Sequence, residues 1–176
     1  MSQTPQKPTL VLMAGLPGAG KTTLAFELGT VLQWPVLSKD TLRSSMMMME
    51  ILERVAGFAA YEVLFALAHD LLVKQQISII LDCASLYPFI LYRSAELARA
   101  ANAQFRVVRC VVDSAIRNRR LCERNSIMAS SAPEPVSLTR EEERSLFTHL
   151  PQDTLVLHTA DSLESYLPKV LTYLGL

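Results

Sequence analysis

The residues of this chain best suited to chemistry form a glycine-rich loop that ends in lysine and threonine. The segment GLPGAGKT, residues 15–22, has the spacing G-x-x-x-x-G-K-T. Glycines permit backbone angles at which successive N–H groups point toward one anion. We expect Lys21 to reach the β- and γ-phosphates of a nucleotide and the Thr22 hydroxyl to hold Mg²⁺. The loop residues predicted to contact the nucleotide are Gly15, Pro17, Gly18, Ala19, Gly20, Lys21, Thr22 and Thr23.

The segments on both sides of this loop support its assignment. An apolar strand is predicted over Thr9–Ala14, and a helix is predicted from Thr22 to about Leu32. A helix that begins at the loop adds the positive end of its dipole to the phosphate site. The alternative is a glycine-rich turn that only happens to precede a helix. That alternative does not explain why strand, loop, Lys-Thr pair and helix are all in register.

A carboxylate ends a second apolar strand downstream of the loop. This strand is predicted over Ile77–Asp82. A carboxylate at the end of such a strand can hold Mg²⁺ directly or through water, as in the Walker-B motif of nucleotide-binding proteins. The alternative role of Asp82 is to cap a turn.

Asp40 and Arg43 follow another short strand, predicted over Trp34–Ser38. A carboxylate at Asp40 could accept the proton of an attacking hydroxyl, while the alternative is that Asp40 caps a helix beginning at Thr41. Arg43 lies one helical turn later on the same face and is predicted to bind an anionic part of the acceptor. Because parallel strands end at one edge of their sheet, Asp40 and Asp82 are both expected on the phosphate-loop side.

A third group of charges is a series of arginines on one predicted helix. Arg117, Arg120 and Arg124 are spaced three and four residues apart and share one face. Guanidinium groups can offset the charge of a migrating phosphoryl group, so we predict that Arg117 contacts the nucleotide and that Arg120 and Arg124 are catalytic. The segment 126–137 is rich in Ser, Ala and Pro and suits a lid that closes over ATP. The alternative is a solvated helix surface with Glu123 as a partner within the helix.

Composition limits the classes of partner. The 176 residues include 17 basic and 17 acidic side chains, so the formal net charge is zero. A nucleic-acid-binding protein is therefore not expected, and the arginine helix has little of the aromatic interleaving that nucleic-acid binding favours. The three cysteines lack the C-x-x-C spacing and indicate free thiols in a reducing compartment. The residues are Cys83, Cys110 and Cys122.

Targeting signals are not indicated. Residues 1–8 are polar and proline-rich and predict a short flexible lead. The most apolar helical run, Val63–Val73, is interrupted by His69 and Asp70 and is too short to cross a bilayer. We expect a soluble cytoplasmic protein that does not associate with a membrane, either a monomer or a homodimer.

The alternation of strands and helices indicates an α/β protein with five parallel strands. We expect one domain over residues 9–176, with an acceptor-binding excursion at about 39–76 and a lid at about 114–138. The excursion carries Met46–Met49, which could form a pocket wall, fill the core or contact another subunit. Gly57 is predicted to punctuate it, before a helix from Ala59 to about Lys74.

The remaining elements complete the predicted sheet. Strands are expected over residues 105–112 and 153–158, with a helix over about 88–103. Capping boxes are predicted at Thr139–Glu142 and between Asp161 and Glu164. The segment 159–162, after the last strand, could border the adenine.

The motifs GLPGAGKTT, LSKDTLR, IILDCASL and RLCER resemble those of small P-loop kinases. This group includes zeta-toxin-like kinases, chloramphenicol phosphotransferase, gluconate kinase and the kinase domains of polynucleotide kinases. The resemblance is closest to a broad family of predicted kinases described as ATP-binding proteins, and it extends from about Leu10 to Asn125.

The resemblance implies a three-layer P-loop fold like that of the nucleoside kinases, with a helical lid and with the Asp82 strand beside the first strand. It also implies roles for individual residues: Lys21 and Thr22 for phosphate and Mg²⁺, Asp40 as the base, Arg43 as an acceptor contact, Asp82 as the Walker-B carboxylate, and Arg120 and Arg124 as lid arginines. The methionine-rich excursion departs from the basic surface that an oligonucleotide acceptor would favour.

The sequence therefore predicts an ATP- and Mg²⁺-dependent kinase that phosphorylates a hydroxyl of a small molecule. One alternative is a nucleoside, nucleotide or polynucleotide 5′-hydroxyl kinase, which differs only in its acceptor. An alternative of another class is an ATP-binding switch or adaptor without acceptor chemistry. Asp40 and the arginines favour the enzyme, because a switch needs no acceptor base.

Overall fold

The computed structural model describes residues 7–127 and 140–176, and the side chains of these residues except 124–127 and 140. Within this part of the chain, five parallel strands form one sheet in the order β2-β3-β1-β4-β5. The strands are β1 (Thr9–Ala14), β2 (Val36–Ser38), β3 (Ile79–Asp82), β4 (Gln104–Val111) and β5 (Leu155–His158). The predicted five-stranded sheet is confirmed, and β3 lies beside β1 as the resemblance implied.

Helices connect the strands and cover both faces of the sheet. They are α1 (Lys21–Leu32), α2 (Lys39–Met48), α3 (Glu53–His69), α4 (Pro88–Ala100), α5 (Ser114–Ile127), α6 (Arg140–Ser145) and α7 (Leu163–Leu174). A π-helical turn, Asp70–Lys74, continues α3. Parallel strands require crossover connections of this kind, and the result is the three-layer α/β fold of P-loop proteins.

The central strand organises the core. All six residues of β1 are buried, with Leu10 opposite Ile79 of β3 and Phe105 of β4. Side chains alternate between two apolar clusters, one on each face of the sheet. One cluster contains Leu64 of α3 and residues of α4, and the other contains Leu24 of α1 and residues of α7. The carboxyl end of β1 is thereby fixed between two packed layers.

The excursion after β2 differs from its predicted form. Gly57 does not interrupt it, because α3 begins at Glu53 and passes through this glycine. Ala56, Ala60 and Leu64 form a buried stripe at helical spacing on both sides of Gly57. Burial of that stripe offsets the cost of about 1 kcal/mol that a glycine imposes on a helix. The prediction that Gly57 ends a local element is therefore wrong.

Several element ends also differ from the prediction. Strands β3 and β5 each begin two residues later than expected, and α4 ends at Ala100 rather than about Ala103. The last helix has Ser162 at its N-cap position and no side-chain capping bond, so the capping box that begins at Asp161 is not formed. Thr139 of the other predicted capping box, residues 128–138 of the predicted lid and residues 1–6 of the lead lie outside the described residues.

One described helical stretch, Glu53–Lys74, is long and apolar enough by length and composition to cross a membrane. It is longer than the Val63–Val73 run considered from sequence. A single such stretch is weak evidence for a membrane span, because core helices of soluble proteins share these properties. Leu64, Ala68 and Leu72 on its inner face are fully buried against the sheet. Phe58 and Leu67 on its outer face are exposed, so the stretch is buried along one side only.

Two helical glycines provide a matched test of this packing. A methyl group on Gly29 of α1 would lie 2.5 Å from Val36 Cγ2 and 3.0 Å from the Trp34 carbonyl oxygen. We expect Gly29→Ala to lower the free energy of unfolding by about 1–3 kcal/mol, because β2 must move to admit the methyl group. Urea denaturation of the full chain measures this change.

Gly57→Ala is the control. A methyl group on Gly57 meets no atom within 4 Å, so the substitution adds helix propensity without a clash. We expect it to raise the free energy of unfolding by about 0.5–1 kcal/mol. Equal responses of the two alanine variants would contradict the described packing of α1 against β2.

Candidate functional site

The loop between β1 and α1 adopts a conformation that requires glycine. Gly15, Gly18 and Gly20 have φ angles of 130°, 79° and 84°. A Cβ on Gly15 would collide with the carbonyl oxygen of Cys110 in β4, and one on Gly18 would lie 2.9 Å from Arg117 Cγ. The glycines therefore serve both the turn and the close approach of neighbouring elements.

Lys21 lies inside this loop. Its Nζ donates a hydrogen bond of 2.9 Å to the Leu16 carbonyl oxygen, and its side chain is buried. Burial lowers the pKa of Lys21, and the nearby Asp82 carboxylate, with a smaller effect of Asp40, opposes that shift. The amine is thus held within the loop, at the position predicted from the motif.

Thr22 and Asp82 meet at the carboxyl edge of the sheet. The Thr22 hydroxyl donates a hydrogen bond of 2.9 Å to Asp82 Oδ2. Asp82 ends β3 opposite Ser38, the last residue of β2, and is buried. Burial raises the pKa of Asp82, while the bond from Thr22 and the charge of Lys21 counteract this effect. The alternative considered from sequence, in which Asp82 only caps a turn, does not account for its hydrogen bond with Thr22.

These oxygens fit a magnesium ion. Hydroxyl and carboxylate oxygens are the ligands that Mg²⁺ prefers, and it commonly takes one or two from the protein and the others from phosphates and water. The residues that could hold it are Thr22 and Asp82. Among the described residues, no group of three or more His, Cys, Asp or Glu side chains could hold a metal.

Asp40 lies next to this edge, in the first turn of α2. The N-cap residue is Ser38, so the alternative in which Asp40 caps a helix from Thr41 is wrong. The Asp40 side chain is 59% exposed, and its Oδ1 lies 3.4 Å from Lys39 Nζ. Its carboxylate is therefore accessible to solvent just beyond the end of β2.

Arg43 is on the same helix but contacts a different partner. Its guanidinium forms an ion pair with Glu53 at the start of α3. The pair joins the two helices of the excursion and leaves the remaining Arg43 N–H groups for other acceptors. Sequence reasoning missed Glu53, because ten residues separate the pair and no local pattern links them.

Arg120 reaches the phosphate loop from α5. Its Nη2 donates a hydrogen bond of 2.7 Å to the Thr159 carbonyl oxygen, and Nη1 lies 3.5 Å from a Cβ built on Gly20. The guanidinium is therefore beside the last turn of the loop. Arg124 belongs to the same helix, but its side chain lies outside the described ones.

Arg117 is buried under the loop. Its Cγ packs on Gly18, and its Nη1 lies 3.9 Å from Glu143 of α6, which is also 3.6 Å from Arg109 Nη2. The predicted shared face of Arg117 and Arg120 is confirmed, since both approach the loop. Among the α5 arginines whose side chains the structure describes, the solvated-surface alternative applies to Arg119 alone, which is exposed and pairs with Glu123 at 3.9 Å.

Thr159 has a role that sequence reasoning missed. It follows β5 directly, is buried, and its hydroxyl donates a hydrogen bond of 2.7 Å to the Ala19 carbonyl oxygen. Its backbone N–H donates to the Val111 carbonyl oxygen at 2.9 Å. Thr159 therefore fastens the loop to the end of β4. The sequence places Thr159 directly after a predicted strand, which was a signal for a contact at this edge of the sheet. The prediction for segment 159–162, however, was only that it could border the adenine.

Two further groups complete the site. The Ser85 hydroxyl, also missed from sequence, is buried and donates to the Met13 carbonyl oxygen at 2.7 Å, which ties the segment after β3 to β1. Burial raises the pKa of the Cys83 thiol to about 11 and that of Cys110 to about 12. Both thiols are thus protonated packing groups at neutral pH.

The methionine run does not fill the core. Met46 and Met47 are half-buried, whereas Met48 and Met49 are 87% and 76% exposed. The exposed methionines lie at the end of α2, in the turn before α3. Of the alternatives considered from sequence, core filling does not apply to Met48 and Met49.

Comparisons with known proteins agree with this geometry. A putative kinase from Chloroflexus aurantiacus is 24% identical and has a TM-score of 0.75, with 97% of this chain and 98% of that chain covered. The APS kinase CysC of Mycobacterium tuberculosis, solved with AMPPNP and APS, is 17% identical, with a TM-score of 0.67 and coverage of 98% and 100%. No curated protein sequence matches the chain at a significant level.

A third similar structure is Kti12 of Chaetomium thermophilum in complex with ADP-AlF3. It is 19% identical, has a TM-score of 0.60, and covers 93% of this chain and 98% of its own. At these identities the likeness shows the fold alone. The model of the AAA domain family matches residues 10–152, which include the loop, both carboxylates and the arginine helix. The chain thus belongs to the AAA domain family and has the fold of the small P-loop kinases.

Proposed function

We propose that this protein is an ATP-dependent phosphotransferase that transfers the γ-phosphate to a hydroxyl of a small molecule. The observation that carries the proposal is the hydrogen bond of 2.9 Å between Thr22 and Asp82, made beside the buried Lys21. A Mg²⁺ nucleotide requires a lysine for its terminal phosphates and two hard oxygen groups for its metal at this edge. Thr22 and Asp82 would hold the Mg²⁺ ion, whose positive charge would offset that of the phosphates.

The nucleotide half of the reaction uses the loop and α5. Backbone N–H groups of the loop hold the phosphates, and Lys21 exchanges its bond to the Leu16 carbonyl oxygen for the β- and γ-phosphate oxygens. Arg120 lies close enough to Gly20 to offset charge on the transferred group, and Arg124 one turn later is its proposed partner. Arg117 supports the loop under Gly18.

The acceptor half uses the start of α2. The acceptor oxygen forms a bond to the γ-phosphorus as the bond from that phosphorus to the bridging oxygen breaks and ADP leaves. The Asp40 carboxylate accepts the hydroxyl proton. Arg43 contacts the acceptor through N–H groups that its pair with Glu53 leaves available.

Three alternatives differ in their support. A nucleoside or nucleotide kinase uses the same residues and differs only in its acceptor. A polynucleotide kinase has less support, since the net charge is zero and exposed Met48 and Met49 follow α2. A nucleotide-operated switch has no use for the exposed Asp40 carboxylate, which does not cap its helix.

Substitutions at Lys21 and Asp40 distinguish nucleotide binding from phosphoryl transfer. We expect Lys21→Met to reduce ATP turnover by about a hundredfold or more, because the buried amine that faces the phosphates is lost. We expect Asp40→Asn to keep nucleotide affinity but to lower transfer by about 10²–10⁴-fold, because the amide cannot accept the proton. Calorimetry with ATP and Mg²⁺ measures binding, and ADP release in the presence of candidate alcohols measures transfer.

Asp153→Asn is the matched control, since Asp153 is exposed and precedes β5 at the opposite edge of the sheet. It should leave both quantities unchanged. Full transfer by Asp40→Asn would remove the assignment of the base. Absence of any nucleotide binding by the folded wild-type chain would remove the whole proposal.

The Thr159 hydroxyl tests how the loop is held. Thr159→Val removes the donor to the Ala19 carbonyl oxygen with little change in shape, so the loop loses its link to β5. We expect the Kd for ATP to rise about tenfold, equivalent to about 1.4 kcal/mol. Thr159→Ser keeps the hydroxyl and should bind ATP like the wild type. If valine and serine variants bind alike, the hydrogen bond does not organise the loop.

A further inference from the structure

Three aromatic side chains form a cluster at the carboxyl edge of the sheet, beside the proposed acceptor position. The Tyr61 and Phe89 rings are 5.5 Å apart at 79°, an edge-to-face contact. The Phe89 and Tyr87 rings are 6.0 Å apart at 21°, a stacked contact. Tyr61 comes from α3, Tyr87 is the N-cap residue of α4, and Phe89 lies in the first turn of α4. We call these residues the three-ring cluster.

The cluster faces the residues proposed to carry the chemistry. Lys39 Nζ lies 5.5 Å from the centre of the Tyr61 ring and 3.4 Å from Asp40 Oδ1. Burial raises the pKa of Tyr61, so its hydroxyl is protonated at neutral pH. Tyr87 follows Asp82 by five residues. The rings, the base and the Walker-B carboxylate therefore share one edge.

The cluster leaves ring surface open. Tyr87 is 57% exposed and Phe89 is 41% exposed, while Tyr61 is half-buried behind them. Covering an exposed aromatic face with another flat apolar group is favourable, because apolar surface is removed from water. Contacts between two rings add a preference for stacked or edge-to-face geometry. An acyclic polyol has no flat face with which to cover such a surface. The exposed rings thus distinguish between classes of acceptor.

The charges near the cluster are already balanced. Three cations of α2 and α4 are each paired with a carboxylate: Lys39 with Asp40, Arg43 with Glu53, and Arg93 with Glu62. An acceptor with several negative charges would have to compete with these carboxylates for the cations. A neutral acceptor requires no such exchange.

We propose that the acceptor is a neutral alcohol that carries a planar ring, with the ring against Tyr87 and Phe89 and the hydroxyl toward Asp40. This inference rests on the proposed phosphotransferase function and specifies its substrate class. The planar ring could be a simple aryl group or a nucleobase, since both offer the same flat surface. Transfer forms the phosphate ester of the alcohol and ADP, and the proton moves to Asp40.

The test compares matched alcohols with the full chain. The probes are phenylethanol, its saturated counterpart cyclohexylethanol, and thymidine. ADP release above the rate without acceptor and the mass of the phosphorylated product measure transfer, and saturation-transfer NMR measures acceptor binding independently. We expect phenylethanol or thymidine, or both, to exceed cyclohexylethanol at least tenfold in kcat/KM, and the better of the two identifies the source of the ring.

Variants then locate the ring-binding surface. Phe89→Leu keeps an apolar side chain but removes the flat face, so kcat/KM for the preferred ring alcohol should fall at least tenfold through KM. Tyr92→Leu is the control, because Tyr92 is 72% exposed on the same helix and lies outside the three-ring cluster. It should leave the kinetics unchanged. Thermal unfolding checks that each variant is folded.

The outcomes separate this inference from the function on which it rests. Equal or better use of cyclohexylethanol, or an unchanged KM in Phe89→Leu, would overturn the ring-bearing acceptor while the kinase function stands. If no alcohol is phosphorylated although ATP binds, saturation-transfer NMR decides whether ring alcohols bind at the three-ring cluster. Ring alcohols that bind wild type and not Phe89→Leu support the site, and no such binding refutes it. Absence of ATP binding refutes the proposed function itself.

Discussion

The structure depends on holding a buried lysine and a turn of backbone N–H groups in one fixed arrangement. Such a turn directs the positive ends of several N–H dipoles toward one point, where they repel one another. It therefore keeps its conformation only if neighbouring elements support it. Three elements do so here. The β4 backbone lies against Gly15, Arg117 of α5 packs on Gly18, and Thr159 after β5 binds the Ala19 carbonyl oxygen. The order of the sheet, with β1 between β3 and β4, places these contacts around one loop.

The two sides of the site are built differently. On the proposed nucleotide side the side chains are buried or half-buried and make short contacts to the backbone, as Lys21 and Arg120 do. On the proposed acceptor side the groups are more exposed, and ion pairs between side chains join α2 to α3 and α3 to α4. Buried contacts fix geometry, whereas exposed ion pairs are weak and exchange readily. This difference suits a fixed donor site beside an acceptor surface that can adapt.

Local patterns predicted the parts of the protein that local physics controls. The phosphate loop, the strand before it and the helix after it follow from glycine conformations and apolar periodicity, and β1 has the predicted bounds. The end of β3 at Asp82 was predicted for the same reason. The Gly57 prediction failed because helix propensity is small beside the burial of a stripe that runs through the whole of α3.

The sequence by itself determined the nucleotide-binding loop, the parallel five-stranded architecture and the face shared by Arg117 and Arg120, because each depends on spacing along one segment. Only the tertiary structure decided which groups from distant segments meet: Glu143 with Arg109 and Arg117, Thr159 with Ala19, and Tyr61 with Phe89. These contacts join elements that the sheet order brings together across long stretches of chain. Their residue types fit many partners, so no spacing in the sequence specifies the one that each finds.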